Sequence, residues 1–392
     1  MTGPLNGFRI LEVGGQGTVP FTAMMLADLG AEVVRIERPD AVPEGIPANA
    51  HLDIKYRGRR NIAVDLKHPD GAALVLELVE GADALLEGYR PGVMERLGLG
   101  PDECLDRNPK LVFGRVTGWG QDGPWSQLPG HDINYVAFGG ALAQFRREGS
   151  DPVPPLNLGG DLAGGGMLLA FGVVTALLEA QRSGQGQVVD AAMIDGITLL
   201  MSTFYGYTMM GSYDERRPGT HFFDTGAHFY NVYPCADGEY ISIGCKEDKF
   251  HDALVEVMGL GDDPDFADQW DRSRWPGNKA KLRALFGSKT RDEWVEVMAG
   301  TDVCFAPVLH LDEVAQHPHN QGRSTYVEHE GVRQPAPVPR FSRTTAALDL
   351  TPAVPGQHTR EVLELLGIDR ERIDALLASG AVAGLPVVEA GA

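Results

Sequence analysis

The sequence predicts an α/β chain, with a large parallel-sheet domain and a smaller α+β domain after it. Three observations carry this. Residues 8–13, 14–17, 21–29 and 32–37 follow one another as apolar strand, glycine loop, helix-spaced run and β-branched strand. Such a βαβ unit makes parallel strands, which need cover on both faces. The alternation continues to about residue 190, and the charged stretch 212–218 then separates it from a segment with shorter elements.

The elements follow in order. Residues 61–66 predict a strand, 69–78 a helix, 82–87 a strand, and 111–116 a strand after a turn rich in Pro and Asp. A long apolar helix is expected from Asp161 to Leu178, stopped at Ser183-Gly184-Gln185-Gly186. Residues 188–208 read as strand then helix. In the smaller unit, strands are expected at 229–233 and 239–243 around the turn Asp237-Gly238. Helices are expected at 249–258, 278–286 and 291–299. A Pro-rich crossing at 334–339 leads to a helix at 359–366, and 379–392 reads as a frayed end. The domains are therefore a large one over 1–190, completed by about 325–392, a linker helix over 191–220, a small domain over 221–310, and a return linker over 311–330.

Composition bounds the function. The 392 residues carry 49 glycines, about one in eight, and a net charge of −20. Gly is commonly near 7%. The 43% hydrophobic content suffices for one large core or two domains. No charge-free apolar run approaches the roughly 20 residues a bilayer needs, so no membrane span is expected. The first residues do not resemble a signal peptide, nor the last a peroxisomal address. Cys104, Cys235, Cys245 and Cys304 show no CxxC spacing, which argues against zinc or a disulfide framework and for a reducing cytoplasm. The acidity disfavours nucleic acid and anionic membranes, and taken alone a phosphate-bearing ligand as well.

The local patterns are more specific. Gly15-Gln16-Gly17 supplies two glycines of a dinucleotide fingerprint, with Glu37 about 20 residues on, but Pro20 holds the third position and removes an N–H. A plain strand-to-helix turn explains it better. Cations gather in an acidic background at Arg35, Arg38, Lys55, Arg57, Arg59, Arg60 and Arg90, with Tyr56 and Tyr89 among them. They form either a solvated face or a pocket where guanidinium forks grip phosphates. In Gly130-His131-Asp132-Ile133-Asn134-Tyr135, adjacent His and Asp cannot share one side of a strand, so one can enter a cleft while the other offers backbone. Asp161 stands at a helix start between two glycine clusters, either as an N-cap or where ligand comes close to backbone.

Over nearly its whole length the chain resembles the class III CoA-transferase superfamily, and within it the α-methylacyl-CoA racemases. The resemblance is carried by 26–33, by Gly88-Tyr89-Arg90-Pro91-Gly92-Val93 with Arg96-Leu97-Gly98, by 130–135, by Asp161-Leu162-Ala163-Gly164-Gly165-Gly166, by 300–304 with Pro307-Val308, and by 356–363. It implies a Rossmann-like large domain and an interlocked homodimer. It implies an acyl-CoA substrate held by Arg38, Lys55, Arg57, Arg59, Arg60, Tyr89 and Arg90. Such racemases invert the α-carbon of 2-methylacyl-CoA thioesters through an enolate, which needs two acid/base groups on opposite faces. By match these are His131 and Asp161, with Glu247, drawn from the partner chain by the interlocked arrangement, holding the histidine, and the amide of Asp132 facing the enolate oxygen. No metal or redox cofactor is implied, since CoA enters with the substrate. The chain departs from the racemase pattern at His228, where proline is common, and at Asp248, where proline often follows the glutamate.

Three rivals stand beside this. A class III CoA-transferase would use Asp132 as the nucleophile that carries the acyl group. A nucleotide-dependent oxidoreductase would rest on the incomplete glycine fingerprint. A non-catalytic acyl-CoA binder would show no α-proton exchange.

Overall fold

The computed structural model describes residues 3–346, 349 and 351–386. The chain divides into two compact units. The first comprises 1–139, 156–200 and 324–392, and the second 140–155 and 201–323. The second thus takes 140–155 from inside the span expected for the large domain. The boundary between units also falls within the expected linker helix of 191–220, after Leu200.

The first unit is built on β1 (Arg9–Val13), α1 (Thr18–Asp28), β2 (Glu32–Glu37), β3 (Arg59–Val64), α2 (Pro69–Glu80), β4 (Ala84–Glu87), β5 (Val112–Thr117), α3 (Asp132–Phe138), α4 (Leu168–Ser183), β6 (Gln187–Ala192) and α5 (Met193–Leu200). Strand order is β3-β2-β1-β4-β5-β6, all parallel, with Val382–Ala383 added antiparallel to β3. β4 and β5 are buried throughout, as parallel strands covered on both faces must be.

Alternate residues of one strand serve opposite layers. Leu11, Val34, Ile62 and Leu85 pack with Leu74 and Leu78 of α2, and with Val362 and Leu376 near the C-terminus. Ile10, Val33, Ala84 and Leu86 pack with Val19 and Leu26 of α1, and with Leu169 and Val173 of α4. This is the period of two expected of a pleated strand.

Several elements differ from expectation. β3 begins two residues early because Arg59 pairs with buried Glu12, which lets a charged residue enter the sheet. The 130–135 stretch starts a helix and is not a strand. The 379–392 stretch is not simply frayed, since Ser379 ends a helix (Arg370–Ser379) and Val382–Ala383 pairs with β3; its residues 387–392 lie outside the described ones. The helical run extends upstream of Asp161 to Leu158, and Leu158–Met167 is wound as a π-helix. At 26 residues, Leu158–Ser183 is long and apolar enough, by length and composition, to cross a bilayer. A core helix passes the same test, so length and composition alone do not overturn the expectation of no membrane span. Leu169, Val173 and Leu177 are buried in the core, while Phe171 and Leu178 are 70% and 61% exposed.

In the second unit, Tyr230–Pro234, Tyr240–Gly244 and Phe305–Pro307 form an antiparallel sheet. The helices Asp248–Val257, Trp275–Phe286 and Arg291–Met298 cover it. Phe229, Tyr233, Ile241, Leu254, Phe286 and Trp294 lie in its core.

Candidate active site

In an open parallel sheet, ligands bind beyond the strand ends where the order reverses. Here that point lies between β1 and β4. The loop after β1 holds Gly14, Gly15 and Gly17 at positive φ. A Cβ on Gly14 would stand 2.2 Å from the Tyr89 hydroxyl, so glycine makes room for that ring. The loop after β4 carries Tyr89 and Arg90. Beside it opens a cleft of about 260 Å³, whose lining includes Tyr89, Arg90, Trp119, Leu128, His131 and Tyr135.

His131 is the N-cap of α3 and exposed. Its backbone N–H donates to Asn134 Oδ1 at 3.0 Å, which fixes the turn. Asp132, the next residue, is 7% exposed. Its Oδ1 accepts from the amides of Gly160 and Asp161, both at 2.7 Å. Asp161 is half-buried, with Asn157 Nδ2 at 3.4 Å from its Oδ2. Its Oδ2 also lies 3.6 Å from where a Cβ on Gly17 would be, so the glycine loop borders this carboxylate.

Burial raises the Asp161 carboxyl above the ordinary carboxylate range; Asn157 opposes the rise, Asp132 adds to it, and His131 opposes it. His131, Asp132 and Asp161 therefore share one electrostatic neighbourhood. Burial and then Asp161 raise the Tyr135 phenol, while Arg90 lowers it. Tyr135 and Trp119 join the cleft although no motif marks them as site residues. The helical spacing of His131 and Tyr135 was the available signal for the tyrosine.

The cations divide into two groups. Arg57 and Arg59, expected among the CoA-binding residues, point inward. Arg57 is 2% exposed and grips Asp28 through Nε at 3.0 Å and Nη2 at 2.6 Å, with Gln334 Oε1 at 2.8 Å from Nη1. Arg59 is 4% exposed, pairs with Glu12 and donates to the carbonyls of Pro20 and Lys55. Both satisfy buried carboxylates, which would be costly left alone. Glu37, placed where a ribose-binding acid would sit, is held by Arg35 Nε at 2.6 Å. Arg38 and Arg90 are exposed. Lys55 is partly so, beside Asp53 and over the Tyr56 ring. Arg60 is half-exposed between Glu32 and Glu361.

Glu247 belongs to the second unit, where it is the exposed N-cap of Asp248–Val257; its carboxylate has no hydrogen-bond or ion-pair partner among the described residues. His228 is fully buried and its Nε2 lies 3.0 Å from His251 Nε2. Asp248 is exposed, with Gln269 Nε2 at 3.4 Å. Among the described residues, no three His, Cys, Asp or Glu side chains are grouped to hold a metal.

The model of CoA-transferase family III matches residues 5–359. The mouse protein "Alpha-methylacyl-CoA racemase" is 41% identical over 372 residues, covering 94% of this chain and 95% of its own. The human protein of that name is 40% identical over 375 residues, with the same coverage. The crystal structure of a CAIB/BAIF family protein from Brucella suis superposes with a TM-score of 0.79 at 25% identity, covering 93% of this chain and all of that one.

Proposed function

Because the chain belongs to CoA-transferase family III, we propose that it is an acyl-CoA racemase that inverts the α-carbon of 2-methylacyl-CoA thioesters. The carrying observation is that His131 lines the cleft and that its neighbour Asp132 accepts the Asp161 amide at 2.7 Å, which brings the two acid/base groups together. The similarity to the mouse and human racemases supports it.

One group breaks the Cα–H bond and takes the proton. The electron pair moves into the thioester carbonyl, giving a planar enolate, and the other group returns a proton to the opposite face. Each must act in both directions. Burial holds Asp161 closer to the working pH than a free carboxylate, which suits a group that both gives and takes a proton. The amide of Asp132, first residue of α3, has no acceptor within the helix and is available to the enolate oxygen. Arg38, Lys55, Tyr89 and Arg90 hold the CoA portion, whereas Arg60, at the start of β3 and paired with Glu32 and Glu361, lies at the other end of the sheet. Such proton transfer calls for no metal or redox group, and CoA enters with the substrate.

The protein works as a homodimer in the cytoplasm. The exposed apolar side chains of Phe171 and Leu178, seven residues apart on α4, support the first part, since large apolar groups left in solvent favour association. Glu247 then serves His131 of the second copy. His228 and Asp248 sit in the smaller unit and bear on the choice of acyl group.

The test is incubation of one enantiomer of a 2-methylacyl-CoA in deuterium oxide. Exchange of the α-proton with loss of optical purity is expected, and no exchange across a panel of 2-methylacyl-CoAs would sink the reading. The family name favours a second reading, acyl or CoA transfer on Asp132; a hydroxylamine-sensitive adduct at that residue would decide for it.

A further inference from the structure

We infer that the Asp132 carboxylate is a strut that sets Asp161 against His131, a positioning residue and not a nucleophile. The inference rests on the racemase reading for its catalytic consequence, although the strut itself does not.

Asp132 follows His131 directly, so its backbone is fixed to that of the imidazole. Its Oδ1 accepts both the Gly160 and the Asp161 amides at 2.7 Å. One carboxylate oxygen thus joins the residue after one acid/base group to the backbone of the other. These amides lie in the first turn of the long helical run, where N–H groups have no helical acceptor. Bonds to a charged acceptor are the stronger kind. The side-chain support from Asn157 is weak by comparison, at 3.4 Å.

The surroundings are fitted to this tie. A Cβ on Gly160 would stand 2.8 Å from Asp132 Oδ1 and 3.2 Å from its carbonyl oxygen, so only glycine admits the approach. The run Leu158–Met167 is π-wound, a rare geometry often found at functional sites. A wider turn shifts the rotation at which Asp161 leaves the helix, and the strut holds that setting.

The same facts oppose a nucleophilic role. A nucleophile must bring an oxygen to the thioester carbonyl. Oδ1 is occupied by two amides, and Oδ2 is buried with no hydrogen-bond partner among the described residues. The cleft is lined by His131 and Tyr135, whereas Asp132 is 7% exposed.

The test compares Asp132→Ala with Asp132→Asn in the full-length protein. Asparagine keeps an oxygen for both amides and loses the charge; alanine loses both bonds. We expect Asp132→Ala to lower kcat for α-proton exchange about 10²-fold with KM little changed, as a misplacement near 1 Å does. Hydrogen exchange of the 158–168 peptide should quicken with it. Asp132→Asn should recover kcat to within about tenfold and keep that peptide protected. Its pH profile should shift to lower pH, because the charge that helps raise Asp161 is gone.

Asp132→Asn as inactive as alanine while the peptide stays protected would overturn the inference, as would alanine at full rate or a covalent adduct on wild-type Asp132. If the alanine variant does not fold, asparagine alone decides. A wild type that exchanges no α-proton defeats the racemase reading, and peptide protection then judges the strut separately.

Discussion

The Nε2 atoms of His228 and His251 face each other across 3.0 Å inside the second unit, on rings that are 0% and 3% exposed. One ring must donate and the other accept, so the accepting ring is neutral. Protonating the accepting nitrogen sets two donors face to face. Protonating an outer nitrogen buries a charge among Phe229 and Phe266 and near Lys279. Burial, then His251, then Lys279 push the His228 imidazole down to about 3 from 6.5. Burial lowers His251 as well, against Asp252 and Asp248.

The sign follows. Below pH 6.5 the unfolded chain binds protons that the folded pair refuses, so stability falls with falling pH. The slope is about 1.4 kcal/mol per pH unit for each proton refused, and for His228 it continues toward pH 3. Urea unfolding of the second unit at pH 7.5, 6.5 and 5.5, followed by tryptophan fluorescence, should show this loss. His228→Leu with His251→Leu should flatten it; an unchanged slope would refute the pair as its origin.

Two of the cations expected to hold CoA should behave in opposite ways. Arg57 neutralises buried Asp28, and Arg57→Ala leaves that carboxylate uncompensated. We expect a loss of about 3–5 kcal/mol in unfolding free energy. Arg90 is exposed at the cleft, and Arg90→Ala should leave the melting temperature within error. KM for acyl-CoA should rise about tenfold or more, the equivalent of one charged hydrogen bond. Equal melting temperatures for the two variants would contradict the inward placement of Arg57.

Residues 55–60 show why the sequence was legible in part. Four cations in six residues stand out, but their direction depends on Asp28 and Glu12, which are 29 and 47 positions from Arg57 and Arg59. The parallel strands were plain because strands covered on both faces are continuous apolar runs. The helix at 132–138 was not. It is short, and its start depends on Asn134 closing the turn on His131. In the glycine-rich run at 158–167 the helix is expected only from Asp161, because Gly159 and Gly160 disfavour helix on propensity, yet Asp132 and close packing start it at Leu158. Gly196, for example, leaves only 2.0 Å between a would-be Cβ and the Gly164 carbonyl oxygen.

Gly160→Ala tests that packing. Its Cβ would fall 2.8 Å from Asp132 Oδ1, and neither the carboxylate nor the helix backbone has free space to yield. Destabilisation of about 1–3 kcal/mol is expected from the overpacking. A fall of about tenfold or more in kcat should accompany it, with KM for acyl-CoA little changed. A variant with wild-type kcat would mean that the spacing between 132 and 160 does not set the chemistry.

The division of labour between His131 and Asp161 can be read from each enantiomer separately. Each enantiomer presents its α-proton to one of the two groups. His131→Ala and Asp161→Asn should therefore both abolish racemisation, by about 10²–10⁴-fold. Each should still exchange the α-proton of the enantiomer that faces the surviving group. Because burial raises the Asp161 carboxyl, the enantiomer it deprotonates should gain rate with pH through a value above the usual carboxylate range. That limb should persist in His131→Ala and vanish in Asp161→Asn. Proton NMR in deuterium oxide, run on each enantiomer with each variant, gives four rates. Loss of all four points to a single shared base, whereas two retained and two lost, in crossed order, is the pattern of one group on each face.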